Sequence, residues 1–310
     1  MKGKKKLIFK VVGLIILLSI VLTFIINTVI ANNVISSMSD VRVEINSSTF
    51  ADYDLEGEQI TVVSNDGLKI NAYVVPNETS NGNVVILHGM HGMDASSLLD
   101  YAKFIYDAGF TAINVDMRAH GLSEGESLSF GYNEVDDVMA VIEFLNDDDR
   151  FKDAPIILYG LSMGGSTAIN TAAVSEHIDG VIAVSPFLSI QNQVADYMER
   201  DGFPKAFIRI FEPSVNFVLR QKFGVRPIKD SPEQAVTNLR DIPLFIIHSA
   251  EDTQTGVFQA ETLFDLASSN QKELWIVDGD EHLIVEDLLH KESEYYRFRI
   301  SEFLDENFSN

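Results

Sequence analysis

Gly160-Leu161-Ser162-Met163-Gly164 follows an apolar run, 154–159, and precedes a segment of small residues, 166–174, that has the pattern of a helix. The order strand, G-x-S-x-G, helix is typical of a sharp turn that lifts one serine hydroxyl above the end of a strand. Gly160 and Gly164 allow that turn, and the bland alternative is a tight turn with a helix-capping serine. A serine hydroxyl becomes a useful nucleophile only beside a histidine base that is oriented by a carboxylate, so the motif predicts an acid and then a histidine downstream.

Candidates for both groups follow the last two predicted strands. Asp252 comes shortly after the run 244–247, with Glu251 as the fallback acid. His282 comes after the run 274–277, and His290, on a predicted helix, is a weaker alternative for the base. Ligands of open α/β sheets bind beyond the carboxyl ends of the strands, so these residues are expected to meet Ser162 at one edge of the sheet.

The loop after an earlier apolar strand, 84–87, reads His88-Gly89-Met90-His91. A backbone N–H of this loop, that of Met90, is expected to join the N–H of Met163 in binding an oxyanion. The backbone supplies the donors, so the methionine side chains matter little there. His88 is interpreted as a structural hydrogen-bonding residue next to Gly89, and the role of His91 stays open.

A second polar loop follows the predicted strand 111–115. Its sequence, Asp116-Met117-Arg118-Ala119-His120-Gly121-Leu122-Ser123, places charges directly at a strand end. We interpret Asp116 and Arg118 as supporting residues that anchor the loop by hydrogen bonds, rather than as groups that react.

Composition excludes several classes of site. The chain has 310 residues, no cysteine and a net charge of −23. The missing thiols exclude disulfides, thiolate metal sites and a cysteine nucleophile. An acidic surface repels phosphates, so nucleic acid is not expected as a partner. The run 147–149 of three aspartates is interpreted as a solvated helix end rather than a calcium site, and the sequence implies no metal and no cofactor.

The N-terminal segment indicates a membrane anchor. Lysines at positions 2, 4, 5 and 6 precede an apolar stretch that extends to Ala31, and 11–26 contains no charge. About twenty apolar residues suffice to cross a hydrocarbon core, and the lysines predict a cytoplasmic N-terminus with the remainder outside the cell. A cleaved signal peptide is the competing interpretation, but its apolar core would be shorter. We therefore predict a basic tip and uncleaved signal anchor over 1–31 and a polar stalk over 32–58.

The remainder, 59–310, alternates predicted strands and helices. A hairpin at Asn65-Asp66-Gly67 opens the domain, and the later apolar runs are of the kind buried on both faces of a parallel sheet. We therefore expect a mainly parallel, eight-stranded sheet that is flanked by helices. The alternation of strands and helices is interrupted over about 187–240. This stretch is rich in aromatic residues and predicts a small helical cap.

Together these residues resemble the α/β-hydrolase superfamily, and within it the serine aminopeptidase-like and Bem46-like membrane-anchored hydrolases. The resemblance covers about 60–305. It is carried by I-L-H-G at 86–89, D-M-R-A-H-G-L-S at 116–123, G-L-S-M-G-G at 160–165, H-S-A-E-D at 248–252 and G-D-E-H at 279–282. It implies Ser162 as nucleophile, Asp252 as acid and His282 as base. Two positions depart from the family pattern, because Ala119 and Ser249 stand where glycine is usual.

We predict a serine hydrolase that acts on carboxylic esters or thioesters. The membrane anchor and the aromatic-rich cap favour a small-molecule or lipid-like acyl ester as substrate. An aminopeptidase-like exopeptidase is the alternative within enzymes, and its amine-gripping carboxylate could be Asp196, Glu199 or Asp201. An inactive surface-binding protein on the same fold is the alternative outside enzymes. The sequence assigns no oligomeric state.

Overall fold

The central element is an eight-stranded sheet. The computed structural model describes residues 2–43, 47–285 and 287–309. The strands are β1 (Glu58–Val63), β2 (Lys69–Val75), β3 (Asn83–Leu87), β4 (Thr111–Asp116), β5 (Ile156–Leu161), β6 (Gly180–Val184), β7 (Leu244–Ser249) and β8 (Lys272–Val277). Their order across the sheet is β1-β2-β4-β3-β5-β6-β7-β8. Strand β2 runs opposite to the other seven strands, so the predicted mainly parallel sheet of eight strands is confirmed.

Helices cover both faces of the sheet. They are α1 (Lys2–Ser39), α2 (Leu99–Asp107), α3 (Glu134–Asp147), α4 (Met163–Val174), α5 (Ile190–Arg200), α6 (Lys205–Phe223), α7 (Pro232–Ala235), α8 (Phe258–Leu266) and α9 (Glu294–Phe308). One apolar core joins the sheet to α3, α4, α6 and α8, and the other joins it to α2 and α9. The inner strands are buried on both faces, which explains why β3 and β6 consist almost entirely of apolar residues.

The helix after the serine motif begins earlier than the sequence pattern indicated. The expected helix covered 166–174, whereas α4 starts at Met163. Of the two glycines of the turn, Gly160 belongs to β5 and Gly164 belongs to α4, which no proline interrupts. The serine therefore stands directly at the helix N-terminus.

The predicted cap region, about 187–240, contains α5, α6 and α7. Helix α6 is its longest element and buries Phe211, Val215 and Leu219 in the same core as the sheet. The boundaries of the cap insertion and the three-part division of the chain remain a prediction.

The first helix extends into the predicted stalk, because α1 continues beyond Ala31 to Ser39. No glycine or proline interrupts 32–39, and Ile35 and Ser39 are fully buried. Arg42 then donates hydrogen bonds to the carbonyl oxygens of Gly121 and Ser123, at 3.1 and 3.0 Å. The start of the expected stalk is thus packed against the domain, and 44–46 lie outside the described residues. The helix is long and apolar enough to span a membrane.

Candidate active site

The serine turn lies at the centre of the sheet, between β5 and α4. Ser162 has φ 53° and ψ −113°, a strained conformation for a residue with a side chain. Its N–H donates to the carbonyl oxygen of Val184 at 2.7 Å, which ties the turn to the neighbouring strand. A Cβ on Gly160 would collide with the backbone of Gly164, and a Cβ on Gly164 would collide with the carbonyl of Leu87. Both positions therefore require glycine.

Three side chains from separate loops form a hydrogen-bonded chain. His282 Nδ1 lies 2.6 Å from Asp252 Oδ2, and His282 Nε2 lies 2.8 Å from Ser162 Oγ. Because a carboxylate only accepts, Nδ1 carries the proton and donates it to Asp252. Nε2 is then free to accept the hydrogen bond from the Ser162 hydroxyl. This arrangement can move a proton from serine to histidine.

Asp252 is buried, yet it is held in the ionised form. Burial raises the pKa of this carboxyl, but the hydrogen bond from His282 and the N–H groups of Thr255 and Gln254 outweigh it. The two backbone donors lie 2.9 and 2.7 Å from Oδ1. The pKa of Asp252 is therefore below its ordinary value, and a negative charge faces the imidazole at neutral pH.

The two fallback residues lie in different settings. Glu251 is exposed, whereas Asp252 is buried. His290 is an exposed helix-capping residue whose Nδ1 accepts from the N–H of Glu292. The structure thus brings Asp252 and His282, rather than these alternatives, together with Ser162.

The loop after β3 approaches the serine closely. A Cβ built on Gly89 would lie 3.7 Å from the Cβ of Ser162. His120 Nε2 lies 2.8 Å from the carbonyl oxygen of Met90, and this contact restrains the peptide that follows Met90. Met163 is the first residue of α4, and the first N–H groups of a helix have no partner within it. Met90 lines the same cavity as Ser162, and Met163 follows Ser162 directly.

Two histidines packed against each other support that loop. The His88 and His120 rings lie 4.3 Å apart, and both side chains are fully buried. The N–H of Met117 donates to His88 Nε2 at 3.1 Å, so His88 Nδ1 carries the proton and donates to the carbonyl oxygen of Gly89 at 2.7 Å. Burial lowers the pKa of His88 well below its ordinary value, and His88 is neutral. Its side chain connects two loops.

Asp116 and Arg118 tie their loop to neighbouring elements. The Asp116 carboxylate accepts from the N–H groups of Ala95 and Leu122 at 2.7 and 2.9 Å. Arg118 pairs with the buried Asp137 at 2.7 Å and with Asp66 at 2.8 Å. These side chains hold the loop in place and are not free to react.

Two serines that the sequence analysis missed hold the histidine loop. The hydroxyl of Ser185, directly after β6, donates to the carbonyl oxygen of His282. The hydroxyl of Ser249, the last residue of β7, donates to the carbonyl oxygen of Glu281 at 2.5 Å. The available signal was the serine in place of the usual glycine at position 249. That departure from the family pattern supplies a contact to the backbone beside the imidazole.

A cavity of about 210 Å³ opens above Ser162. Its walls are Met38, Gly89, Met90, His91, Met93, Ser162, Phe187, Gln193, Tyr197, Gln254, His282 and Leu283. Burial lowers the pKa of His91, which favours a neutral ring in this wall. Met38 belongs to α1, so the end of the first helix forms part of the site, a contribution that the sequence analysis missed. No carboxylate lines the cavity, and the described residues include no cluster able to hold a metal ion.

The sheet order, the strained serine turn and the three connected side chains define a hydrolase of the α/β class. A family model described as "Serine aminopeptidase, S33" matches residues 78–222. The protein YqkD of Bacillus subtilis is 30% identical over 254 residues, which cover 81% of this chain and 80% of that protein. The chain belongs to the α/β-hydrolase superfamily and is an α/β-fold hydrolase.

Further similarities agree with this assignment. The membrane protein YNL320W of Saccharomyces cerevisiae is 30% identical over 138 residues, which cover 44% of this chain and 48% of that protein. The solved structure of the Pyrococcus furiosus esterase Pf2001 superposes with a TM-score of 0.71 at 23% identity, over 87% of this chain and 98% of that one. The matched family range contains Ser162, whereas Asp252 and His282 lie beyond it.

Proposed function

We propose that this protein is a membrane-anchored serine hydrolase that cleaves small carboxylic esters or thioesters through an acyl-enzyme. The observation that carries the proposal is the connected chain Asp252–His282–Ser162, with separations of 2.6 and 2.8 Å. Such a chain is the arrangement that activates a serine hydroxyl as a nucleophile. The catalytic roles of these residues are part of the proposal.

In the first half of the reaction, Ser162 Oγ attacks the carbonyl carbon while its proton passes to His282 Nε2. The ionised Asp252 stabilises the imidazolium that results. The N–H groups of Met163 and Met90 hold the negative oxygen of the tetrahedral intermediate. His282 then gives its proton to the leaving alcohol or thiol, and the acyl group stays on Ser162.

In the second half, water attacks the acyl carbon and gives its proton to His282. The carboxylic acid leaves, and the proton returns to Ser162 Oγ. The reaction needs no group beyond the chain's own residues and water.

The cavity favours a small acyl group. Its volume of about 210 Å³ lies below the range of roughly 300–1,000 Å³ that is common for ligand sites. Methionine, phenylalanine and leucine side chains in its wall suit an apolar acyl chain, and Gln193 and Gln254 offer amide groups.

An exopeptidase is less well supported by the cavity. Asp196 accepts from Gln259 Nε2 at 2.8 Å and from the N–H of Gly256 at 3.1 Å. Glu199 lies 3.5 Å from Lys205, and Asp201 is exposed at the end of α5. None of the three lines the cavity, so the described residues provide no carboxylate there to bind a free amine.

The orientation is proposed from charge. Lys4, Lys5 and Lys6 lie at one end of α1, and such clusters stay on the cytoplasmic side, so the catalytic domain is placed outside the cell. A Phe298→Cys variant tests this, because the chain has no other cysteine and Phe298 is exposed. We expect a membrane-impermeant maleimide to label it in intact cells. Labelling only after lysis would show that the catalytic domain lies in the cytoplasm.

The main test is fluorophosphonate labelling of the full chain in detergent, with p-nitrophenyl esters of increasing acyl length. We expect Ser162→Ala to abolish labelling and Asp252→Asn to lower kcat on the order of 10⁴-fold. Glu251→Gln is the matched control next in the chain and is expected to retain activity. Activity should fall as the acyl chain outgrows the cavity.

Three results would contradict the proposal. Equal labelling of Ser162→Ala would remove the nucleophile assignment. Faster turnover of aminoacyl p-nitroanilides than of esters would favour the exopeptidase. A folded wild type that is neither labelled nor active would favour a binding protein on this fold.

A further inference from the structure

The first helix has two parts with different surroundings. Residues 7–26 are exposed and almost entirely apolar, and at 1.5 Å per residue they extend about 30 Å, the thickness of a hydrocarbon core. From Asn27 onward one face is buried at intervals of four residues, namely Asn27, Ala31, Ile35 and Ser39. The membrane-length segment therefore ends where packing against the domain begins.

Helix α6 of the cap packs on α1 at this transition. The Phe24 and Phe217 rings meet edge to face, with centroids 5.8 Å apart. Asn27 Nδ2 donates to the carbonyl oxygen of Ile210 at 3.4 Å. Phe24 lies within the uncharged apolar run, so a spanning α1 places Phe217 at the depth of the membrane boundary.

The outer side of the cap is apolar although it faces solvent. Ile210 is 56% exposed, Phe217 44% and Ile228 66%, and Phe203 at the start of α6 is also exposed. Large exposed apolar side chains on one side of a domain mark a contact surface. These residues adjoin the helix that has the composition of a membrane span.

The cap segment that contains α6 has a net positive charge, whereas the chain as a whole is strongly negative. Residues 205–229 contain six basic side chains and one acidic side chain, a balance of +5 in a chain of net charge −23. Arg209, Arg220 and Lys229 form no ion pair within the described part of the chain. A helix with an apolar stripe and basic flanks is typical of a membrane interface, and basic groups there attract anionic headgroups.

We propose that the cap docks on the leaflet from which α1 emerges, with α6 and Ile228 in the interface and the basic side chains on anionic lipid headgroups. The partner is a bilayer that contains anionic lipid. This proposal rests on the proposed membrane anchor but is independent of the proposed hydrolase activity. It also fixes the height of the site, because Met38 lies eleven residues beyond Asn27, about 16 Å further along the helix. The Ser162 cavity therefore opens above the lipid surface.

The absence of cysteine makes the test direct. We would attach a spin label to Ile210→Cys and to Ile228→Cys in the full chain, reconstituted in nanodiscs with about one third anionic lipid. Phe298→Cys is the matched control, since it is an exposed apolar residue on α9, which packs on the other face of the sheet. Collision rates with oxygen and with a water-soluble nickel chelate report whether each label lies in lipid or in water.

We expect the labels at 210 and 228 to collide preferentially with oxygen, and the label at 298 to collide preferentially with the nickel chelate. Arg209→Glu combined with Arg220→Glu, or high salt, should shift the first two labels toward water, because exposed charges are screened. Equal nickel access at all three sites would overturn the proposal. The same burial without anionic lipid would overturn the headgroup contact. Shielding from both reagents together with spin–spin coupling would mean that a second copy covers the surface, which also overturns it.

Discussion

At the residue scale, Ala119 carries an identifiable strain. It has φ 63°, in the left-handed region, although its side chain is fully buried. Its N–H donates to the carbonyl oxygen of Glu124 at 3.0 Å, and its own carbonyl accepts from the N–H of Val43, so the loop cannot relax without losing both bonds. The left-handed conformation costs an alanine more than it costs a glycine.

Replacing Ala119 with glycine should therefore stabilise the protein. We expect Ala119→Gly to raise the free energy of unfolding by about 1 kcal/mol. Thermal denaturation in detergent measures the gain, and Ala108→Gly, at a right-handed helix end, is the matched control that should not stabilise. A loss of stability in Ala119→Gly would show that the packing of the Ala119 methyl group stabilises the protein by more than its left-handed conformation costs.

The residues of the candidate site differ in how far sequence could locate them. Ser162, Asp252 and His282 follow strands, and the strand ends of a parallel sheet meet at one edge, so their proximity could be expected from chain order. Ser185 and Ser249 could not be located in this way. Their hydroxyls donate to backbone carbonyls of a distant loop. A serine at a strand end does not indicate in the sequence which carbonyl it will contact.

At the element scale, the histidine loop depends on the end of β7. Ser249 Oγ donates to the carbonyl oxygen of Glu281, one residue before the imidazole. We expect Ser249→Ala to lower kcat up to about tenfold with little change in KM. The variant loses one hydrogen bond that holds the loop, so His282 is positioned less well, and the loss of kcat is limited by the energy of that bond. Ser249 is a positioning residue, since it acts through the loop and does not touch the substrate.

Ser268→Ala provides the control for that experiment. Its hydroxyl also donates to a backbone carbonyl, that of Leu239, at 2.7 Å, but in a connection away from the site. Both variants should lose about 1 kcal/mol of stability, while only Ser249→Ala should lose kcat, and Ser249→Thr should restore it. An equal effect of the two alanines on kcat would reduce Ser249 to a purely structural residue.

Helices were less predictable than strands in this chain. Runs such as 84–87 are apolar throughout because both faces of the strand are covered. A strand of this kind can be predicted from its own residues alone. The end of α1 is not a local feature. Asn32, Asn33, Ser36 and Ser37 are polar and indicate a stalk. Ile35 is nevertheless buried in a core that it shares with the sheet and the distant α6, and such long-range packing decides that the helix continues.

At the scale of the whole molecule, the half-buried Asp100 makes stability depend on pH. Burial raises the pKa of Asp100, on α2, to about 6, although the N–H of Tyr101 donates to it. The folded protein therefore keeps this proton while the unfolded chain releases it. By linkage, stability from this group is present at low pH and is lost as pH rises from about 4 to about 6.

Asp100→Asn removes that penalty. We expect the variant to be more stable than wild type by on the order of 2 kcal/mol at pH 7.5, with the difference shrinking toward pH 4. Unfolding by urea at both pH values measures it. Asp107→Asn, at the exposed end of the same helix, should show no comparable change. A gain at pH 4 as large as that at pH 7.5 would exclude proton linkage as its cause.

The packing of α1 makes the C-terminal part of this helix a component of the folded domain. Ile35 is fully buried in the same core as the sheet, whereas Ile25, ten residues earlier, is exposed. We expect Ile35→Ala to lower the free energy of unfolding of the catalytic domain by about 3 kcal/mol, the cost of a cavity in a packed core. Ile25→Ala should leave the domain unchanged, because that side chain contacts only the surroundings of the helix. Urea unfolding in detergent, followed by the fluorescence of Trp275 on β8, reports the domain rather than the helix. If both variants unfold as the wild type does, α1 is not packed into the domain. The distance of the Ser162 cavity from the membrane surface is then not fixed by this helix.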